Sequence, residues 1–408
     1  MGETGSTRWL PIGLLVLVGI SAAMEFAKVS TVFTDVASAY SASDSVAAWF
    51  VSLPALSTIL FGLTGSVLAA RQGFRRVLLA SLGLAVAISL VQALLPALPI
   101  FIAARVLDGL VQLGLVIACP VLIIELAAPR HRSLAMSIWG TFFGLAFALS
   151  GLLAPPIAET WGLGAVFAAH AVFAGVLAVL VLLALPRVAG DGPQADVRSE
   201  GFFRAHADAY RQPRAFLPGA IFIFHTTLYA VFVLFVPMFV NPAIAPILLV
   251  WMPLVSIFGT IAAGFIMQSL VSPPVVLAVG YVGLAVSIAL IWFTLGQPTF
   301  ELVMPLLLMA CAGLIQGAAF SLIPALSSDP GLTSRANGVL MQLGNLGTLI
   351  GPPLFAGVIG VVQLSTYANF SALAWVLCAG GLAVSLVALR LTGRRPVVSD
   401  PASLEPTA

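Results

Sequence analysis

The chain has 408 residues, of which 61% are hydrophobic and only 8% charged, with a formal net charge of +2 and a mean hydropathy of +1.12. Soluble domains carry roughly 25% charged residues, so this chain could not keep its surface in water and is expected to be an integral membrane protein. Its apolar runs are of helix length rather than alternating ten-residue strands, which excludes a barrel, and the small net charge excludes nucleic acid as a partner.

Taking about twenty residues as the length needed to span a bilayer, the first half reads as candidate helices over 9–33, 47–70, 76–95, 98–126, 133–157 and 163–186. The second half reads as 216–240, 246–270, 274–295, 301–326, 337–361 and 366–390, twelve spans in all. Arg8, the apolar run from Trp9 to Ile20 and Ser21-Ala22-Ala23 have the outline of a secretory signal. The apolar character continues to Phe33, so we read an uncleaved first span. In that span Ser21, Glu25, Lys28 and Asp35 fall on one helical stripe, interrupted only by Val32, with Phe26 and Phe33 well off it. Lys28 is the only lysine of the chain. A charged stripe at that depth must face protein or water, not lipid.

The second span ends in Leu68-Ala-Ala70-Arg71-Gln-Gly73-Phe-Arg75-Arg76. The fourth holds Arg105-Val-Leu-Asp108-Gly109, and Gln112 continues that face. Intramembrane charges are costly unless paired or hydrated and read as functional by default; three residues apart, Arg105 and Asp108 can neutralise each other. A purely structural ion pair that fixes helix packing is the alternative. In the fifth span Gly140, Gly144, Ser150, Gly151, Pro155 and Pro156 are spaced for close helix approach and bending. His170 in the sixth reads as a hydrogen-bonded packing residue. Residues 187–215 form a polar, arginine-rich linker, of which Phe202 to Arg211 is either an amphipathic surface helix or solvated chain.

No span of the second half carries an ionised group in its interior; its polar residues there are His225, Tyr229, Gln316, Gln342 and Asn345. Trp9, Trp161 and Trp292 lie near span ends as interface anchors. Trp139 and Trp251 lie deeper, and a lipid-facing position is expected for Trp139. Cys119, Cys311 and Cys378 sit in apolar runs as small packing residues.

Two patterns organise the whole. Arg8, Arg71, Arg75, Arg76, Arg130, Arg132, the linker, Arg335, Arg390, Arg394 and Arg395 all fall on one side of a twelve-span arrangement, and the opposite loops contain no Lys or Arg, only Asp44, Glu159 and Glu301. The positive-inside rule then places both termini in the cytoplasm. The second pattern is repetition. Gly109-Leu-Val-Gln112 with Pro120 beyond it matches Gly313-Leu-Ile-Gln316 with Pro324, and Pro54-Ala-Leu-Ser57 with Gly65 matches Pro253-Leu-Val-Ser256 with Gly264. Together they favour duplication of a six-helix unit.

On these features the chain resembles the major facilitator superfamily of secondary transporters, over essentially its whole length. The resemblance implies an all-α membrane fold of twelve helices in two six-helix bundles related by pseudo-two-fold symmetry: 1–186, a linker at 187–215, 216–395, and a cytoplasmic tail at 396–408. The loop at Arg71, Gly73, Arg75 and Arg76 is similar to the family's gating signature, with Ala70 where an acidic residue is usual and Ser66 where a glycine is usual. Any lock between the halves must therefore use other groups, and Arg71 is placed to donate to carbonyls at a helix C-terminus. The arginine of Arg105 followed by Gly109 matches a second family motif. Family antiporters carry a glycine–proline pair in the fifth helix, which Ser150-Gly151 lacks, and Gly351-Pro352-Pro353 has the pattern in the other half; this disfavours drug antiport.

At 1.5 Å per residue Glu25 and Arg105 lie at similar depth, about 10 Å from the outer surface. Since the first, fourth, seventh and tenth helices line the family's central cavity, the resemblance implies that Glu25, Lys28, Arg105 and Asp108 form one cluster of zero net charge. Burial favours a neutral carboxyl and a neighbouring cation an ionised one, so Glu25 and Asp108 are the candidates for the coupling proton. Lys28, Arg105, Gln112, His225, Tyr229, Gln316, Gln342 and Asn345 are the candidates for holding substrate between the halves.

The expected function is alternating-access, proton-coupled uptake of a small polar or charged organic solute, by a monomer in the inner (plasma) membrane. Proton-driven export of drugs or amphipathic metabolites is the alternative, and a non-transporting membrane sensor the reading of another class. No Gly-x4-Gly-Lys-Ser/Thr loop, paired metal-ligand motif or nucleophile elbow occurs, so neither ATP drive, a metal, a cofactor nor an enzyme activity is expected. The expected partners are the solute, protons and the lipid bilayer.

Overall fold

The computed structural model describes residues 6–128, 131–186, 210–269, 271–326, 330–361 and 366–392. The expected linker up to residue 209, Arg130, Arg394, Arg395 and the tail lie outside the described residues. Among those described, every regular element is a helix. The first half comprises α1 (Trp9–Ser30), α2 (Phe33–Ala39), α3 (Asp44–Ser52), α4 (Pro54–Gln72), α5 (Phe74–Ala93), α6 (Leu98–Leu126), α7 (Arg132–Trp139), α8 (Phe142–Trp161) and α9 (Leu163–Ala184). The second comprises α10 (Pro213–Phe239), α11 (Ala245–Ser269), α12 (Pro273–Thr294), α13 (Pro298–Leu326), α14 (Pro330–Val361) and α15 (Thr366–Thr392). Among the described residues eleven helices are long and apolar enough to cross a membrane, and there are twelve spans if α3 and the start of α4, bent by 44°, count as one.

Where spans break, the residues show why. The first breaks after Thr31, whose N–H still bonds the Ala27 carbonyl, at Val32, where φ of −121° and ψ of 36° leave the helical region. The second breaks before Pro54, which has no N–H to continue the ladder. The first break corrects the sequence reading: the phase of the helix changes, and Asp35 emerges on α2 as an exposed residue, off the stripe that holds Ser21, Glu25 and Lys28.

The two halves repeat one packing scheme. In the first, α1 packs on α8, α4 on α6, and α5 on both α6 and α9; in the second, α10 packs on α14, α11 on α13, and α12 on both α13 and α15. The repeated sequence signatures are the two sides of one crossing. A side chain on Gly109 would collide with the main-chain carbonyl of Pro54, and one on Gly313 with that of Ser256. Pro54 and Pro253 occupy equivalent positions, so the crossing is kept in both halves but shifted by about one helical turn. The halves meet where α8 packs on α11 and where α14 packs on α3 and α4. Gly144 faces Ile257 of α11, and Gly151 faces the Leu249 carbonyl, which lets those two helices approach closely.

Trp9, Trp161 and Trp292 are exposed near helix ends, as expected of interface anchors, whereas Trp139 is buried and stacks on Phe142 with centroids 4.5 Å apart. The expected lipid-facing position of Trp139 is therefore corrected: its ring fills the space above Gly19 of α1. Glu301, read only as a loop acid, is buried and accepts hydrogen bonds from the main-chain N–H groups of Asn241 at 2.9 Å and Gly296 at 2.7 Å. It ties two loops of the second half together.

Candidate functional site

Four helices of the first half bring their polar side chains to one point. α1 supplies Ser21, Glu25 and Lys28, one face of the helix at three- and four-residue spacing. α6 supplies Arg105 and Asp108 in the same way. α5 adds Ser89 and Gln92, and α9 adds His170. Glu25, Arg105 and Asp108 are 0% exposed and Lys28 is 2% exposed.

Lys28 Nζ lies 2.5 Å from Glu25 Oε2 and 3.6 Å from Asp108 Oδ1. Arg105 is spread over three helices: Nε donates to the Phe50 carbonyl of α3 at 2.6 Å, Nη2 to the Glu25 carbonyl of α1 at 2.6 Å, and Nη1 to Asp108 Oδ2 on its own helix. Gln92 Nε2 also donates to Asp108 Oδ2, at 2.6 Å. His170 Nε2 lies 3.2 Å from the Ser21 carbonyl oxygen and Nδ1 lies 2.9 Å from Ser89 Oγ. Two carboxylates and two cations give the set zero net formal charge, which is what makes four buried charges tolerable. Even so, Glu25 Oε1, Asp108 Oδ1 and Gln92 Oε1 are buried with no hydrogen-bond donor.

The expected quartet is thus assembled, but in a different place. Its partners come from α1, α3, α5, α6 and α9, all of the first half, and the cluster sits inside that bundle instead of on the face between the halves. Gln112 is buried one turn further along α6 and accepts from Thr58 of α4 at 2.9 Å, outside the cluster. Ser89, Gln92 and His170 are the members sequence reading missed or underrated. Ser89 and Gln92 carry the same three-residue spacing in the third span as Arg105 and Asp108 do in the fourth, and that signal was legible.

Of the second-half candidates, Tyr229 and Gln342 reach across to the first half. His225 and Tyr229 of α10 are buried, with centroids 5.8 Å apart. Tyr229 lies 6.2 Å from Phe143 of α8, across the interface, and Phe143 lies 6.2 Å from Phe26 of α1. His225 stacks on Phe222 at 5.2 Å, and Phe222 meets Phe320 of α13 at 5.4 Å. An aromatic row therefore crosses from one half to the other. Gln342 of α14 bridges the halves by donating to the Ile59 carbonyl at 3.4 Å and accepting from Tyr210 at 3.3 Å. Asn345 donates to Met341 of its own helix, and Gln316 is half-buried on α13.

In the arginine-bearing loop, Gly73 has φ of 93°, which allows the sharp turn between α4 and α5. Arg75 donates to the Val181 and Leu182 carbonyls at the end of α9, at 3.3 and 3.2 Å; Arg71 and Arg76 are exposed. Among the described residues no group of three or more His, Cys, Asp or Glu side chains is arranged to hold a metal ion.

The family model described as Major Facilitator Superfamily matches residues 15–352. No curated protein matches the chain by sequence. Among solved structures, the crystal structure of a bacterial homolog to the human lysosomal transporter Spinster, in an inward-facing and unoccupied conformation, aligns with a TM-score of 0.73 at 13% identity, covering 95% of this chain and 97% of that one. At that identity the likeness concerns the fold, and the fold agrees with the family match: with twelve spans in two halves of one packing scheme, the chain belongs to the Major Facilitator Superfamily of secondary transporters.

Proposed function

We propose that this protein is a proton-coupled secondary transporter in which the cluster inside the first half carries the proton and the aromatic row between the halves takes the solute. The observation that carries the reading is the state of the two carboxylates. Glu25 and Asp108 are fully buried in a net-neutral set, and each keeps one oxygen without a hydrogen-bond donor. Such a set accepts one proton at the cost of its balance, and a conformational change that rehydrates it restores the balance by releasing the proton. Rocking of the two halves about the midplane supplies that change. The arginine-bearing helix ends face the cytoplasm, in the inner (plasma) membrane, as the asymmetry of basic loops supports.

The same geometry bears on the solute. With the charges enclosed in the first half, the face shared by the two halves offers an aromatic row, Phe26, Phe143, Tyr229, His225 and Phe222, and Gln342 bridges the halves. It suits a small organic solute with an aromatic or apolar body and few polar groups. This row is also the observation that favours the second reading, proton-driven export of amphipathic compounds.

A thermal-shift screen against metabolites identifies the solute, because a ligand bound only by the folded state raises apparent stability. In proteoliposomes, adding it changes internal pH with the wild-type protein, and Glu25→Gln or Asp108→Asn diminishes that change. Unaltered coupling in both variants overturns the proton assignment. With an outside-acid gradient, accumulation marks symport and depletion marks antiport.

A further inference from the structure

The proton reading leaves His170 unused, although it is buried and its ring touches the cluster from the far side. Around Lys28 stand Glu25 on α1, Ser89 and Gln92 on α5, Arg105 and Asp108 on α6, and His170 and Phe167 on α9. An ammonium group has three donors. Glu25 Oε2 takes one at 2.5 Å, while Ser89 Oγ and His170 Nδ1 wait at 3.4 Å each and Asp108 Oδ1 at 3.6 Å. The Phe167 ring, 5.9 Å away, presents its face to the same nitrogen.

The tautomer of His170 follows from its neighbours. Nε2 lies 3.2 Å from both the carbonyl oxygen and the hydroxyl of Ser21, and Nδ1 lies 3.4 Å from the Lys28 ammonium, which can only donate; a hydrogen on Nε2 suits both the carbonyl and Lys28. Nδ1 is then a lone-pair acceptor, aimed at Ser89 and at the ammonium of Lys28.

We infer that His170, with Ser89, is a second seat for the Lys28 ammonium: when Glu25 takes up a proton, Lys28 leaves its carboxyl group and settles on His170 Nδ1. This rests on the proton reading of the cluster. The step is a proton added to a carboxylate and a hydrogen bond exchanged; no covalent bond of the protein breaks. A proton on Glu25 takes one negative charge from the set, leaves it at +1 and removes the attraction that holds Lys28 at 2.5 Å from that carboxyl group. Closing the distance from 3.4 Å to an ordinary hydrogen bond of about 2.9 Å takes only a small swing of a flexible side chain. Arg105 cannot share in this, because two of its nitrogens are committed to main-chain carbonyls. Proton uptake thereby exchanges a contact within α1 for one that ties α1 to α9. His170 is a positioning residue in this scheme, acting through Lys28.

The chain offers a direct test, since its single lysine gives one side-chain resonance when lysine is labelled with nitrogen-15. Full-length protein in lipid nanodiscs is titrated from about pH 8 to about pH 5, with histidine labelled in a parallel sample. The expected result is a shift of the Lys28 resonance and of the His170 Nδ1 resonance at one common midpoint. His170→Leu loses most of the Lys28 shift, and His170→Gln, whose amide oxygen accepts, regains it. A Lys28 resonance that stays flat in the wild type, or that titrates in His170→Leu with unchanged amplitude and midpoint, overturns the second seat. The proton reading fails separately, if Glu25→Gln and Asp108→Asn both leave the Lys28 titration as it is in the wild type. Should His170→Leu not fold, the wild-type coincidence of midpoints and the His170→Gln variant still decide.

Discussion

Arg105 holds Glu25 by its main chain, not by its charge. Nη2 donates to the Glu25 carbonyl oxygen at 2.6 Å, while the Glu25 carboxylate belongs to Lys28 at 2.5 Å. The two cations of the cluster therefore have different work. Arg105 pins α1, α3 and α6 together through a planar fork, and Lys28 is held by side chains alone.

Replacing Arg105 by methionine is expected to destabilise the protein by about 3–5 kcal/mol, because Asp108 is left as a buried, unbalanced charge and two main-chain carbonyls lose a donor. Arg105→Lys keeps the charge but cannot reach Phe50, Glu25 and Asp108 at once, so it recovers only part of the loss. Thermal unfolding in a fixed detergent measures both. Wild-type stability in Arg105→Lys would show that the fork is dispensable.

Lys28 and Glu25 should behave as a coupled pair. Lys28→Met alone leaves the cluster with excess negative charge, and Glu25→Gln alone leaves it with excess positive charge, so each is expected to destabilise. The double change restores neutrality and is expected to be closer to wild type than the sum of the singles, by about 0.5–3 kcal/mol in a double-mutant cycle. Additive effects would place the pair's interaction near zero. Transport in the double variant adds a second answer: if it is spared, Lys28 serves to neutralise Glu25, and if it is lost, Lys28 has a role of its own.

The duplicated crossing gives a prediction with internal controls. Gly109→Ala and Gly313→Ala each push a methyl into a main-chain carbonyl of the facing helix, at an expected cost of about 1–3 kcal/mol. Gly13→Ala and Gly83→Ala meet nothing within 4 Å and should be neutral or slightly stabilising, since alanine is the better helix former. Equal thermal shifts in all four would contradict the close approach.

The aromatic row is tested once a solute is in hand. Phe143→Ala and Tyr229→Ala are expected to weaken its binding about tenfold or more, as loss of a packed ring of this kind costs 1–3 kcal/mol in contact area and geometry. The Lys28 titration should be the same in both variants as in the wild type, because no ring of the row contributes a partner to the charged cluster. A change in that titration would mean that the solute face and the charged cluster are one site.

Much of this was legible in the residues themselves. A chain with so few charges must place helices in lipid, and so the spans, their number and the duplication followed from composition, run length and spacing. The pairing of Glu25 with Lys28 and of Arg105 with Asp108 followed from helical periodicity, since neighbours on one turn must share a face. Periodicity held only while the helix did: at Val32 the backbone left the helical region and took Asp35 off the stripe. Which way the charged faces turned was decided by tertiary packing. Ser89, Gln92 and His170 come from helices outside the four expected to line the cavity, and they draw Glu25, Lys28, Arg105 and Asp108 into the first half instead of towards the second. The reason is physical: a buried charge goes where enough partners converge to satisfy it, and convergence of five helices is a property of the fold, not of any one stretch of sequence. For Glu25 and Lys28, the sequence determined that they need partners, and the structure decided that those partners include His170.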